Sequence, residues 1–168
     1  MSETDSNQRM ATLKSAAQGG DPRAQLQLAF AYIKGAGLEK NLESAANWYL
    51  AAARQGSLVA QYNLADMYLH GHGVSKDLLQ ARHWFEKAAQ QGDADAQFNL
   101  ALLFQGSGDE AEAKRWLTLA AENGSGRAQY DLACIYLNSR DLEQARLWFA
   151  RAADQGIRRA RERLAESI

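Results

Sequence analysis

The sequence predicts an all-α solenoid, a stack of antiparallel helix pairs, and three observations carry that expectation. A short signature recurs, as Ala16-Ala17-Gln18-Gly19-Gly20, Ala52-Ala53-Arg54-Gln55-Gly56, Ala88-Ala89-Gln90-Gln91-Gly92, Ala120-Ala121-Glu122-Asn123-Gly124 and Ala152-Ala153-Asp154-Gln155-Gly156. Its copies are spaced by 36, 36, 32 and 32 residues. One tryptophan falls in each interval, at Trp48, Trp84, Trp116 and Trp148. Within each interval the apolar residues follow a helical period in two separate runs. A fixed period in this range marks stacked helical hairpins, because one hairpin cannot bury its apolar face alone and its neighbours must cover it.

The elements follow in order. Residues 1–8 carry no apolar pattern and are expected to form a mobile N-terminal tail. Residues 9–18 read as a lone cap helix of the second-helix type, with Thr12 where the tryptophan belongs. Four complete repeats follow, at 21–56, 57–92, 93–124 and 125–156. In a first helix, Ala60, Leu64, Ala65 and Tyr68 share one stripe; in a second helix, Ala81, Trp84, Phe85 and Ala88 do. The small residues let two helices approach closely, and the recurring aromatic fills the space opposite. Residues 157–167 read as a lone first helix in which Ile157 replaces a capping residue and the tyrosine is gone. The total is about ten helices, and 9–168 is expected to be one repeat domain with no internal linker.

Local signals agree on these boundaries. After Gly20, Gly56, Gly92 and Gly124 stand the capping candidates Asp21, Ser57, Asp93 and Ser125. Pro22, the only proline, falls at a first helical position, where its missing N–H costs nothing. Second helices start after Asn41, Asp77, Asp109 and Asp141, and Gln80, Glu112 and Gln144 complete capping-box pairs with the last three.

Composition sets the outer limits. Apolar residues make up 46% and charged residues 23%, the balance of a folded domain rather than a disordered chain. A net charge of −1 supplies no field toward nucleic acid or an anionic membrane, so neither is an expected partner. No run approaches the ~18 apolar residues of a spanning helix. The opening MSETDSNQRM lacks the basic segment and apolar core of a secretory signal, so a cytoplasmic location is expected. Cys134 is the only cysteine, which excludes an internal disulfide and a cysteine-based zinc site.

The motif Ala60-x3-Leu64-Ala65-x2-Tyr68-x2-Gly71-x-Gly73-Val74-x2-Asp77-x3-Ala81-x2-Trp84-Phe85-x2-Ala88-Ala89-x2-Gly92 resembles the Sel1-like repeat, a relative of the tetratricopeptide repeat. The likeness covers roughly residues 9–165 and recurs four times. The Gly-x-Gly loop of that family is present at Gly35-Ala36-Gly37 and Gly71-His72-Gly73 only. In the third and fourth repeats the loop between helices is four residues shorter, with tetratricopeptide spacing. The resemblance implies a right-handed superhelix that scaffolds protein complexes, often as a bacterial adaptor. Some cysteine-rich members are linked to β-lactam chemistry, but this chain lacks those cysteines and the function is not carried over.

In the related tetratricopeptide fold the first helix of each pair lines the concave face, and an Asn just before the helical Leu often grips the backbone of a bound peptide. The matching positions here are Gln27, Asn63, Asn99 and Asp131, with Tyr62, Phe98 and Tyr130 immediately before the last three. Phe30, Asp66 and Leu102 stand one turn further along the same face. The resemblance thus makes these ten residues the candidate partner-binding set. A carboxylate-clamping ligand is not expected, since Leu26 and Asp95 stand where basic residues are needed.

Other chemistry is weaker. The four tryptophans read as core fillers rather than a recognition ladder. Asp66, His70 and His72 form the best metal candidate, yet the trio occurs in one repeat only and reads as a solvated loop. No metal, cofactor or catalytic residue is therefore expected. Cys134 reads as a small apolar filler, and Arg158, Arg159, Arg161 and Arg163 as a charged face that keeps a terminal helix soluble. The leading expectation is a non-enzymatic module that holds a protein or peptide partner, monomeric or weakly self-associating. The alternatives are a metal- or thiol-dependent hydrolase on the same stack and an immunity-type protein that neutralises an effector.

Overall fold

The computed structural model describes residues 3–166. Those residues form ten helices and no strand: α1 (Glu3–Gln18), α2 (Pro22–Lys34), α3 (Leu42–Arg54), α4 (Leu58–His70), α5 (Leu78–Gln90), α6 (Ala94–Gly106), α7 (Glu110–Glu122), α8 (Gly126–Asn138), α9 (Leu142–Asp154) and α10 (Arg158–Ala165). The chain divides into two compact units, one ending at Ala88 and one beginning at Ala89, so the boundary falls inside the last turns of α5. In the first unit, α1, α2, α3 and α4 pack consecutively; in the second, α6 through α10 do.

Each predicted capping residue is used. Asp21 accepts from the backbone N–H of Arg23 at 2.8 Å, Asn41 from Ser44 at 2.8 Å, and Asp77 from Leu79 and Gln80 at 2.9 and 3.0 Å. Ser57, Asp93, Asp109, Ser125 and Asp141 do the same for their helices, and Ile157 makes no side-chain cap. These bonds satisfy amides that would otherwise lack partners at helix starts. At its N-terminal end the structure differs from expectation: α1 already begins at Glu3, within the stretch read as a tail. Residues 3–8 carry no apolar side chain, so periodicity could not reveal that turn of helix. The remaining tail positions, 1 and 2, and the last expected helical position, 167, lie outside the described residues.

Small residues bring the helices together. Ala29, Ala45, Ala60, Ala65, Ala81 and Ala88 in the first unit are fully buried, as are Ala120, Ala128, Ala133, Ala145 and Ala152 in the second. Trp84, Trp116 and Trp148 are buried, and Trp48 packs on the Ala17–Ala24–Leu28 cluster of the chain's first helices. Burial leaves some polar atoms unpaired: Tyr49 Oη, Trp84 Nε1 and Trp148 Nε1 have no hydrogen-bond partner.

A ladder of buried glutamines accompanies the alanines. Gln25, Gln61, Gln97 and Gln129 each donate from Nε2 to the carbonyl eight residues earlier, of Ala17, Ala53, Ala89 and Ala121, at 3.0–3.1 Å. The side-chain oxygens of Gln25, Gln97 and Gln129 accept from Gln55, Asn123 and Gln155 at 2.8, 2.9 and 3.2 Å. Each staple therefore ties the end of one second helix to the next first helix. In α10 Arg161 takes this place, donating from Nε to the Ala153 carbonyl at 3.2 Å.

The two loop lengths close with one hydrogen bond in common. The cap N–H of Asn41 reaches the Tyr32 carbonyl, and that of Asp77 reaches Tyr68, both at 3.0 Å. In the shorter loops Asp109 reaches Phe104 and Asp141 reaches Tyr136, at 3.0 and 2.9 Å. The additional residues of a long loop lie against the preceding second helix. Gly73, at φ 73°, sits so near the start of α3 that a β-carbon there would overlap the Leu42 carbonyl.

Candidate interaction surface

The first helices α2, α4, α6 and α8 carry the ten residues that the repeat likeness singles out. The structure sorts them by what their side chains already touch. Phe30 packs edge-on against Tyr49, Tyr62 against Phe85 and Tyr130 against Phe149, with ring centroids 5.5–5.6 Å apart. Phe98 is only 6% exposed and lies beneath the Arg127 guanidinium at 5.1 Å. These four aromatics join first helices to their neighbours, and each of the three ring pairs is worth about 0.5–1.5 kcal/mol beyond burial. The first repeat has Leu26 where the others have an aromatic, and Phe30, one turn on, supplies the ring instead.

The polar members differ among themselves. Gln27 is exposed, and Asn99 is half-buried. Asn63 donates from Nδ2 to the Val59 carbonyl of its own helix at 2.7 Å. Asp131 is half-buried, makes no ion pair or hydrogen bond among the described residues, and burial pushes its carboxyl above the usual carboxylate range.

Leu102 and Asp131 come together in the second unit. With Ala101 and Gln105 of α6, Lys114 and Leu117 of α7, and Cys134 and Ile135 of α8, they line an open cleft of about 500 Å³. Leu102 is 43% exposed and Ile135 37%, a large exposure for apolar side chains that face each other across a cleft. The reason for the opening lies in loop length. In the second repeat the long loop seats Gly73 on Leu42, at the start of α3. The residue matching Leu42 in α7 is Glu110, which also lines the cleft. The fourth repeat's loop is the short one and has no residues to lay there.

Asp66, His70 and His72 are also brought together, at the end of α4 and in the loop beyond it. One ligand atom from each lies within 4.8 Å of the others. His70 Nδ1 is 3.2 Å from Asp66 Oδ1, and the two imidazoles stack with centroids 5.5 Å apart.

The remaining groups are less reactive. Burial pushes the Cys134 thiol up; Asp131 adds to this, and the Tyr130 hydrogen bond and Arg163 only partly oppose it. A thiol held protonated is a poor nucleophile. Arg158 pairs with Glu162 at 3.2 Å and Arg163 with Glu166 at 3.3 Å, while Arg161 is the α10 staple, so much of the C-terminal basic cluster is already engaged. No helix among the described residues is long and apolar enough to cross a membrane.

Ten helices, eight of them capped by a side chain, with alanine-lined contacts between them, define an all-helical repeat stack. The Sel1 repeat family model matches residues 22–57, 58–93, 94–125 and 126–157, and the chain belongs to the Sel1 repeat family. Repeats of this family generally mediate protein–protein interaction. Among solved structures, the chain is 35% identical to c5321, a protective antigen present in uropathogenic Escherichia coli strains, over 88% of this chain and 34% of that one, with a TM-score of 0.79. It is 34% identical to a Sel1 repeat protein from Oxalobacter formigenes, over 88% and 64%, with a TM-score of 0.78. The chain thus spans less than two thirds of either relative. MamA, at 16% identity and a TM-score of 0.58 over 99% of this chain, shares the fold alone. Comparison with curated protein sequences finds no match.

Proposed function

We propose that this chain is a non-enzymatic interaction module that holds a protein or peptide partner on the faces of its first helices, the concave side implied by the repeat resemblance. The α6–α8 cleft is the anchoring place. The observation that carries this is the company Asp131 keeps: an unpaired, half-buried carboxylate beside exposed Leu102 and Ile135. Withdrawing a carboxylate from water without a partner is unfavourable, so a cation from outside gains by arriving there. The lining carries Glu110 and Asp131 against Lys114, an acidic balance. The fitting segment is therefore extended, with an apolar side chain for the Leu102–Leu117–Ile135 wall and a neighbouring Lys or Arg for Asp131. Asn99 lies on α6 beside the cleft, and Gln27, Asn63 and Asp66 are the corresponding polar positions on the first helices of the first unit.

The test uses the partner captured from native-cell lysate and titrated back against purified variants. Leu102→Lys with Ile135→Lys is expected to weaken binding at least tenfold, and Leu147→Lys, on exposed α9 surface, to leave it unchanged. Unchanged affinity in the double variant, or loss in Leu147→Lys, refutes the reading. Asn63→Ala with Asn99→Ala is expected to cost about 1–3 kcal/mol of binding if the partner continues along the first helices.

A further inference from the structure

We propose that Asp66, His70 and His72 form a binding site for one divalent transition-metal ion of the zinc class, separate from the cleft on α6–α8. Spacing alone favours a solvated loop; the side-chain geometry points the other way. Asp66 and His70 stand one helical turn apart at the end of α4. Gly71 then caps the helix at φ 75°, and this left-handed residue turns the chain back so that His72 lies over His70. The imidazoles are nearly parallel, 17° apart, and one donor atom from each of the three residues falls within 4.8 Å of the others.

The loop holding His72 is built, not slack. The N–H groups of Gly71 and His72 both donate to the Met67 carbonyl, at 2.8 and 2.9 Å. Gly73 is wedged against Leu42, and Asp77 closes the loop on the Tyr68 carbonyl. Donors around tetrahedral zinc, at about 2.0–2.1 Å from the ion, stand roughly 3.3–3.4 Å from one another. His70 Nδ1 and Asp66 Oδ1 stand 3.2 Å apart, but Nδ1 also lies 3.0 Å from the Asp66 carbonyl, so it holds the proton there and coordination must break that hydrogen bond. Drawing in the third donor takes a shift of roughly 1–1.5 Å by this tetrahedral spacing. His70 and His72 are exposed and can make it by side-chain rotation.

The donor set selects the ion. Two imidazoles and a carboxylate suit zinc, nickel or copper(II), and not magnesium or calcium, which prefer oxygen alone. Three protein ligands leave a coordination position open to solvent, filled by water or by a donor from outside. The set belongs to one repeat: the matching positions are Phe30, Lys34 and Ala36 in the first, and Leu102 and Gly106, and Cys134 and Asn138, at the two helical positions of the third and fourth. The recurring packing motif therefore does not account for it.

The test needs only the metal. Protein prepared without a polyhistidine tag, and stripped with chelator, is titrated calorimetrically with zinc chloride. The expected result is one ion per chain, at least tenfold weaker in His72→Ala and in Asp66→Ala, unchanged in His83→Ala, and no binding of magnesium. All three positions lie away from the buried core, and far-ultraviolet circular dichroism checks that each variant keeps its helices. As a second readout, saturating zinc is expected to raise the wild-type melting temperature and not that of His72→Ala. No zinc heat above dilution, one ion per two chains, or equal affinity in His72→Ala would overturn the site.

Discussion

Replacing Gln129 by methionine tests whether the buried glutamine ladder holds neighbouring helix pairs together. Gln129 is 5% exposed, so its amide has traded water for protein partners. It donates to the Ala121 carbonyl at 3.0 Å and accepts from Gln155 at 3.2 Å. Methionine has nearly the same length and flexibility, so the change removes hydrogen bonds without opening a cavity. The Ala121 carbonyl keeps a bond from the Gly124 N–H at 3.2 Å, and the exposed Gln155 amide regains water. Neither partner is stranded, which places the cost at two net hydrogen bonds, about 1–2 kcal/mol after methionine's easier burial. Gln129→Glu sharpens the test. An ionised carboxylate would face the Ala121 carbonyl, and a protonated one could donate to it as glutamine does. Its pKa in the folded state must then rise, so the defect is small in acid and grows as pH climbs above the ordinary carboxylate range. Urea denaturation at pH 4 and pH 7 measures both effects, with exposed Gln90→Met as a control expected within about 0.5 kcal/mol of wild type. A wild-type midpoint for Gln129→Met, or a pH-independent defect in Gln129→Glu, would refute the staple.

Other outcomes follow from the same geometry. Tyr49→Phe is expected to stabilise by about 1 kcal/mol, because Tyr49 Oη is buried without a partner. Phe85 and Phe149 already fill the matching, fully buried positions; thermal melting checks the shift, and a spectrophotometric titration should find a tyrosine pushed up to about 12 that disappears in the variant. Asp131→Asn is expected to stabilise near pH 7 and not near pH 3. The folded-state pKa of Asp131 is raised by burial, so the native chain loses stability as pH rises from the ordinary carboxylate range through the raised value. Melting temperatures at the two pH values decide it. Arg140, at φ 62°, occupies the turn position held by Gly108 in the third repeat. Left-handed backbone costs an L-residue roughly 1–2 kcal/mol, and glycine's greater unfolded entropy cancels part of that. Arg140→Gly is therefore expected to gain roughly 0.5–1 kcal/mol in urea denaturation.

Period, caps and glycines determined the helical pairs and their boundaries, because each is a local signal repeated several times. A cap needs only its own side chain and an amide two or three residues on, so Asn41 and Asp141 were legible one by one. Recurrence of Gln at 25, 61, 97 and 129 was visible too, but its role depends on a carbonyl in the preceding helix. The same holds for the polar face of the first helices. Periodicity separates that face from the core, yet it cannot distinguish Asn63, tied to Val59, from Asp131, tied to nothing. The aromatics at Tyr62, Phe98 and Tyr130 were legible as a recurring position, while their engagement by Phe85, Arg127 and Phe149 was decided across helices. Tertiary structure also decided the cleft, since a four-residue shortening in one repeat exposes the start of a helix in the repeat before it. Local pattern reports which way a side chain faces; what it meets there is set by atoms some thirty residues away, brought close only when the helices stack.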